Sequence, residues 1–341
     1  MKEVLTYPFE TPPAGGTLIE VADGVFWLRM PLPFRLNHVN LWLLADGDGW
    51  TVVDTGFASD DTRGLWQAIF DGPARALPPK RLIVTHYHPD HFGLAGWLTE
   101  RWGLPLYMTR GEWLTGQFLG TCSAERYAAS EAALLRRQGA PDRFLTAPGG
   151  RGNPYARRIG PLPLNYRRIK DGDGLTIGGR TWTVVVGEGH APEQATLWCE
   201  DLGVLISGDQ VLPQITPNVS LSWAEPDADP LAAFLTSLER FNALPADTLV
   251  LPSHRLPFRG LHQRVDSLID HHRERLEAAE AACRKAAMSS ADLLPVLFRP
   301  DLDDHQFSFA IGEASAHAVY LAGSGRVGQQ LDDQGVLRFA A

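Results

Sequence analysis

The fold of this chain is decided by the stretch Thr85-His86-Tyr87-His88-Pro89-Asp90-His91, which places four side chains that can bind metals within six residues. The apolar run at 81–85 is typical of a buried strand, and the residues after His91 are typical of a helix. A chain leaving a strand can turn the first two histidines toward one point, while the aspartate and the last histidine come from the following turn. Imidazole and carboxylate are ligands that zinc and similar ions prefer. The stretch therefore predicts a metal site that can serve two adjacent ions.

This H-x-H-x-D-H stretch resembles the metal signature of the metallo-beta-lactamase superfamily, and the companion motifs of that family follow in the same order. Each companion is a strand that ends in a ligand: Val184-Val-Val-Gly-Glu-Gly-His190, Leu205-Ile-Ser-Gly-Asp209 and Leu249-Val-Leu-Pro-Ser-His254. An earlier strand end, Val52-Val-Asp54-Thr-Gly56, matches the first motif of the family, whose Asp supports the metal site from behind the ligands. The resemblance covers about residues 20–260.

The resemblance implies a site for two divalent metal ions. One ion would be held by His86, His88 and His190, the other by Asp90, His91 and His254, and Asp209 would bridge them together with a water or hydroxide. Two cations lower the pKa of a shared water and polarise the oxygen of the bond under attack. Asp90 can also orient the nucleophile as the catalytic carboxylate. Zinc is the expected ion because the ligands are rich in nitrogen, and iron and manganese are the alternatives.

The order of predicted elements indicates an α/β fold with two β-rich halves. The resemblance implies a four-layer αββα sandwich, in which two sheets lie between layers of helices. A domain boundary is predicted near residue 260, with a hydrolase domain at 1–260 and a helical module at 261–341. The module is predicted to contain helices at 261–288, 291–298 and 307–321 and a small hairpin at 326–339. It resembles the winged-helix appendage of the beta-lactamase-like endoribonuclease branch.

An insertion between His91 and His190, at residues 111–170, carries ten Lys/Arg and four Asp/Glu. A helix is predicted at 124–138, with Ser123 at its start, and a long loop at 148–163. One interpretation is a lid whose arginines favour an anionic substrate, such as a carboxylate or a CoA thioester. The other is a solvated helical decoration that covers the sheet.

Three further residues are candidates for substrate contact because they neighbour the ligands in the sequence: Tyr87, Gln194 and Asn218. The segment Ala-Pro-Glu193-Gln194 stands where many relatives have a small Pro-Gly-Ser turn, so the pocket should differ from that of true beta-lactamases. His38 is assigned a structural role near a strand edge.

Composition limits the classes of partner. The 341 residues carry a net charge of -9, and residues 261–341 hold eight Lys/Arg against twelve Asp/Glu, which disfavours a nucleic-acid partner. The helical module is therefore interpreted as a packing or homodimer surface. The three cysteines form no C-x-x-C pair, and neither a signal peptide nor an apolar run of about 20 residues is evident, so a protein of the cytoplasm without membrane contact is expected.

These features together predict a hydrolase that cleaves an ester, thioester or lactone in a small molecule. Two rivals stay open. An RNA phosphodiesterase or endoribonuclease would use the same metals, and a binding or sensor protein would hold metal without turnover. A redox di-iron protein is disfavoured because no flavin-binding domain is evident.

Overall fold

Within residues 5–145 and 152–341, which the computed structural model describes, the strands form two large sheets and one small hairpin. The first sheet keeps the chain order: β1 (Ile19–Ala22), β2 (Val25–Pro31), β3 (His38–Asp46), β4 (Gly49–Val53), β5 (Pro79–Ile83), β6 (Leu106–Met108) and β7 (Arg167–Arg168). Strands β1 to β4 pair antiparallel, and β4 to β7 pair parallel.

The second sheet has the order β12-β11-β10-β9-β8. Its strands are β8 (Gly174–Ile177), β9 (Arg180–Gly187), β10 (Gln194–Cys199), β11 (Val204–Gly208) and β12 (Leu249–Pro252). Strands β8 to β11 pair antiparallel, whereas β11 and β12 pair parallel. Each sheet thus combines an antiparallel meander with parallel strands that need crossover connections.

The helices, with one short 3-10 helix at Arg240–Ala243, complete the chain. They are α1 (Asp60–Asp71), α2 (Pro89–Phe92), α3 (Ala95–Trp102), α4 (Arg110–Thr121), α5 (Ala124–Arg137), α6 (Asp142–Leu145), α7 (Pro230–Glu239), α8 (Leu261–Cys283), α9 (Ser290–Leu297) and α10 (Asp304–Gly323). Among the described residues, no helix is both long and apolar enough to cross a membrane.

Alternate residues of the central strands serve two different hydrophobic cores, because side chains on a strand point to opposite faces. In β3, Trp42 and Leu44 pack in the core between the two sheets. Leu41 and Leu43 pack on the opposite face, against α1 and α3. A strand buried on both faces carries a nearly continuous apolar run, as this one does.

The second sheet is covered in the same way. In β11, Val204 and Ile206 join the core between the sheets, while Leu205 packs with Phe234 of α7 and Leu268 of α8. The layers are therefore helices, sheet, sheet and helices, which confirms the predicted four-layer αββα sandwich.

The C-terminal segment has the predicted order of three helices followed by a hairpin of β13 (Gly328–Leu331) and β14 (Leu337–Ala340). Helix α8 ends at Cys283 instead of the predicted 288, because Met288 exchanges backbone hydrogen bonds with Phe339 of β14. These helices share a core with the second sheet, and the boundary near residue 260 remains a prediction.

The predicted helix of the insertion is confirmed as α5, with the Ser123 hydroxyl accepting a hydrogen bond from the backbone N–H of Arg126. Part of the predicted loop at 148–163 lies outside the described residues. From 152 to 163 the chain forms turns without helix or strand. Of the ten basic residues counted in the insertion, Arg151 also lies outside the described residues.

Candidate metal centre

The seven predicted ligands follow strands of both sheets and meet in two groups. Each group has ligand atoms within 4.8 Å of one another: His86, His88, His190 and Asp209 in the first, and Asp90, His91 and His254 in the second. The first sheet contributes the stretch after β5, and the second contributes the residues after β9, β11 and β12. Residues up to 168 positions apart in the sequence therefore lie side by side, as ligands at strand ends can.

Asp209 lies between the two groups. Its carboxylate oxygens are 3.5 Å from Nε2 of His190 in the first group, and 3.6 Å and 3.4 Å from Nε2 of His91 and His254 in the second. Asp90 closes the second group, with Oδ2 3.6 Å from His91 Nε2 and 3.5 Å from His254 Nε2. The Asp209 carboxylate thus lies beside His190 of the first group and beside both histidines of the second.

Three of the histidines are held from behind through Nδ1. The ring of His190 lies 2.8 Å from the backbone carbonyl oxygen of Asn218, and that of His254 lies 2.9 Å from the carbonyl oxygen of His38. A carbonyl oxygen can only accept, so Nδ1 carries the proton and the Nε2 lone pair faces the centre. Such outer partners fix both the tautomer and the orientation of a metal-binding histidine.

Asp54 holds His91 in the same manner but with a carboxylate. It is 1 % exposed, and its oxygens accept hydrogen bonds from the Thr85 backbone N–H at 2.7 Å, the Thr85 hydroxyl at 2.9 Å and His91 Nδ1 at 2.8 Å. The backbone of Asp54 has φ 64°, in the left-handed region that Asp and Asn tolerate better than most residues. This turn places the carboxylate beneath the ligand stretch.

The polar atoms at the centre fit a cation. Among the described residues, His91 Nε2, His190 Nε2 and Asp209 Oδ1 are buried and have no hydrogen-bond partner. Buried polar atoms are rarely left so, because each loses its hydration without compensation. Divalent ions between the two groups would satisfy these atoms together, and the mixture of imidazole and carboxylate suits zinc, iron or manganese.

Burial and neighbouring charges shift the pKa values of the candidate ligands in different directions. Burial lowers the pKa of His86 and His88 well below the usual range, so both imidazoles are neutral. Burial would raise the pKa of Asp209, but the neighbouring His254 and His91 outweigh it and hold that pKa well below its ordinary value. Burial would likewise lower the pKa of His91, but Asp90, Asp54 and Asp209 raise it to about 10. The Asp209 carboxylate is therefore ionised, whereas His91 carries a proton that a bound cation would displace.

The three candidates for substrate contact have different surroundings. The ring of Tyr87 lies beside His88, with 4.6 Å between the ring centroids. Gln194 is 0 % exposed within β10 and donates a hydrogen bond to the Ser207 carbonyl, so its side chain faces the protein interior. Asn218 bonds to Ser220 through its side chain, and its carbonyl orients His190.

Sequence reasoning missed Glu112, whose buried carboxyl lies in α4. It accepts hydrogen bonds from the backbone N–H groups of Tyr87 and Glu193, which lie near ligands of the first group. Burial raises its pKa to about 8. The signal that could have identified it is helical spacing, because Glu112, Gly116 and Leu119 form the buried face of α4. An ionisable residue on the otherwise small and apolar face of a helix needs a specific partner.

Comparison with known proteins shows where this architecture recurs. The family model described as "Metallo-beta-lactamase superfamily" matches residues 35–254, and the model "Metallo-beta-lactamase-like, C-terminal domain" matches residues 276–341. A beta-lactamase domain protein from Burkholderia ambifaria is similar over 98 % of both chains, at 45 % identity and a TM-score of 0.87. A metallo-beta-lactamase family protein from Thermus thermophilus covers 94 % of this chain and 99 % of its own, at 30 % identity and a TM-score of 0.79.

Among curated relatives, "Probable metallo-hydrolase YqjP" of Bacillus subtilis is 22 % identical over 86 % of this chain and 91 % of its own length. A hydroxyacylglutathione hydrolase of Xylella fastidiosa is 25 % identical, covering 81 % of this chain and 82 % of its own. A bovine acyl-coenzyme A thioesterase is 27 % identical over 56 % of this chain and 64 % of its own.

Proposed function

Because this chain belongs to the metallo-beta-lactamase superfamily, in which it is a metallo-hydrolase, we propose that it uses two divalent metal ions to hydrolyse an ester, thioester or lactone. The observation that carries the proposal is the position of Asp209. Its carboxylate lies 3.4–3.6 Å from imidazole nitrogens that belong to both ligand groups. A carboxylate between the two ligand groups could bridge two ions. A centre for one ion would need only one of these groups.

The residues divide the work as follows. One ion would be held by His86, His88 and His190, the other by Asp90, His91 and His254, and both by Asp209. Bound divalent ions supply a nucleophile from water near neutral pH and polarise the carbonyl of the substrate. Asp90 is the more accessible carboxylate, with 20 % of its side chain exposed against 9 % for Asp209. Asp90 can therefore orient the attacking water and accept its proton.

An acyl compound is favoured over the other substrates of such centres by two of the relatives, whose names describe hydrolysis of acylated thiols. The insertion adds a reason to expect negative charge on that compound. The Arg158 guanidinium lies 5.3 Å from the ring centroid of Phe34, which packs on Phe57 just after the Asp54 turn. We take this guanidinium to face the approach to the ligand groups, where a cation would attract an anionic substrate.

The proposal is tested by metal analysis of the purified protein together with hydrolysis of thioester, lactone, ester, beta-lactam and RNA substrates. We expect two metal ions per chain and turnover of an acyl substrate that Asp90→Asn lowers at least 100-fold. Asp48→Asn serves as the matched control, because Asp48 is 92 % exposed and pairs with Lys80 on the surface. Protein supplied with zinc, iron and manganese that binds none of them would refute the centre. Turnover of RNA alone would refute the substrate class, and full metal occupancy without turnover would favour the sensor.

A further inference from the structure

Glu112 connects two loops that carry ligands of the first group. Its side chain is 0 % exposed and comes from α4 of the insertion. Oε2 accepts a hydrogen bond from the backbone N–H of Tyr87 at 2.9 Å, and Oε1 accepts one from the backbone N–H of Glu193 at 2.7 Å. The two oxygens of one carboxylate are thus used on two different loops.

Both donors lie next to ligands in the chain. The Tyr87 N–H belongs to the peptide bond between His86 and Tyr87, directly before His88, and Glu193 follows His190 by three residues. These three histidines form the first group together with Asp209. The first loop leaves a strand of one sheet and the second leaves a strand of the other, so the side chain links the two sheets beside the candidate ligands.

Neighbouring residues strengthen the connection. The Tyr155 hydroxyl donates to the Tyr87 carbonyl at 2.7 Å, so both polar groups of Tyr87's backbone are bonded by the insertion. On the other loop, the Gly111 N–H donates to the Glu193 carboxylate at 2.8 Å, and the Thr109 hydroxyl donates to the Glu193 carbonyl at 2.7 Å. A buried carboxyl is costly unless it is hydrogen-bonded, and within the described residues the bonds to this one come from backbone donors beside ligands.

From this geometry we propose that Glu112 is a positioning residue, which fastens the His86–His88 loop to the His190 loop and so preorganises the first metal group. The inference rests on the proposed metal centre. It assigns the insertion a role in metal binding that is independent of any closure over substrate. Ligands held rigidly before the ion arrives bind it more tightly, because less freedom is lost on binding.

The test uses Glu112→Gln, which keeps the shape of the side chain but turns one acceptor into an amide donor that faces an N–H. In metal-free protein, we expect the backbone amides of Tyr87 and Glu193 to exchange with deuterium at least about tenfold faster than in wild type. In titrations against a chromophoric chelator, metal affinity should fall about 10- to 100-fold. Glu277→Gln is the control, since it makes the same change at an exposed position of α8 and should alter neither quantity.

Tyr155→Phe provides a second variant should the Glu112 change prevent folding. It removes only the bond to the Tyr87 carbonyl, so we expect faster exchange in that loop and a smaller loss of affinity. The inference is overturned if wild type binds metal and Glu112→Gln binds it equally well, or if the two amides exchange at the wild-type rate. Wild-type protein that binds no metal would instead refute the proposed function, and the exchange of the metal-free protein would still report on the connection.

Discussion

Asp54 Oδ2 and His91 Nδ1 lie 2.8 Å apart in the interior, with 1 % and 0 % of their side chains exposed. This pair turns the Nε2 lone pair of His91 toward Asp90 and Asp209. The carboxylate also accepts two hydrogen bonds from Thr85, which immediately precedes the ligand stretch. One side chain therefore sets the path of the backbone and the direction of a ligand together.

Asp54→Asn should weaken metal binding at the second group about 10- to 100-fold, because an amide cannot accept all three hydrogen bonds and orients His91 less firmly. Asn tolerates the positive φ of this position, so the backbone turn should survive. Affinity is measured by chelator competition. Asp46→Asn is the control: Asp46 is a buried carboxylate at the far end of the β3–β4 pair, bonded to Thr51 and Arg81, and its change should leave the affinity as in wild type. An unaltered affinity in Asp54→Asn would show that the strand ends alone orient His91.

His254→Gln should reduce the metal content from two ions per chain to one. The second ion would lose a histidine and keep Asp90, His91 and the shared Asp209, whereas the first ion would keep all of its ligands. Elemental mass spectrometry after dialysis against metal-free buffer measures the ratio. His262→Gln should retain both ions, because His262 lies in α8 and bonds to the Leu244 carbonyl. Two ions in both variants would mean that His254 is not needed as a ligand.

Arg158→Glu should raise KM for an anionic thioester about tenfold and change kcat little, because the arginine attracts the substrate without contacting the bond that breaks. Steady-state kinetics at low and high salt measure the effect, which should shrink as salt screens the charge. Arg143→Glu is the control, because it makes the same charge change within the insertion. Arg143 stacks on Phe144, which packs in the C-terminal core. Equal KM values for wild type and Arg158→Glu would leave the insertion as a covering of the sheet.

The sequence could indicate which side chains the structure brings together, because each candidate ligand is local to a strand end, and their binding of metal stays a prediction. His86 to His91 form one short pattern, and His190, Asp209 and His254 each follow an apolar run, so the fold class and the candidate ligands could be inferred together. The four layers followed from the same recognition.

What the sequence could not reveal are contacts between a side chain and a distant backbone. Glu112 accepts hydrogen bonds from N–H groups of residues 25 and 81 positions away. Because nearly every residue has a backbone N–H, such a contact requires no particular residue type and cannot be read from the sequence. The carbonyl of Asn218 serves His190 whatever its side chain is, so adjacency suggested a pocket residue where the backbone makes the contact. Similarly, α8 ends early because of a pairing with Phe339, which lies 51 positions beyond Met288.

The last prediction concerns the dependence of stability on pH. Burial raises the pKa of Glu313 to about 7, against an ordinary value of 4.5, so the folded protein prefers the protonated form. Below pH 4.5 the carboxyl is protonated in both the folded and the unfolded protein, so its titration does not lower the free energy of unfolding. As pH rises from 4.5 to 7, the unfolded chain releases this proton before the folded protein does, and the free energy of unfolding falls by about 3 kcal/mol.

Glu313→Gln removes this titration, so the variant should gain about 3 kcal/mol over wild type between pH 4.5 and pH 8. Urea unfolding at a series of pH values measures the difference, in which contributions from the histidines common to both proteins cancel. Glu277→Gln, at an exposed position of α8, is the control for the same change of side chain outside the interior. A constant difference for Glu313→Gln as well would mean that the buried carboxyl ionises as readily in the fold as in the unfolded chain, through rearrangement toward the neighbouring cation Arg275.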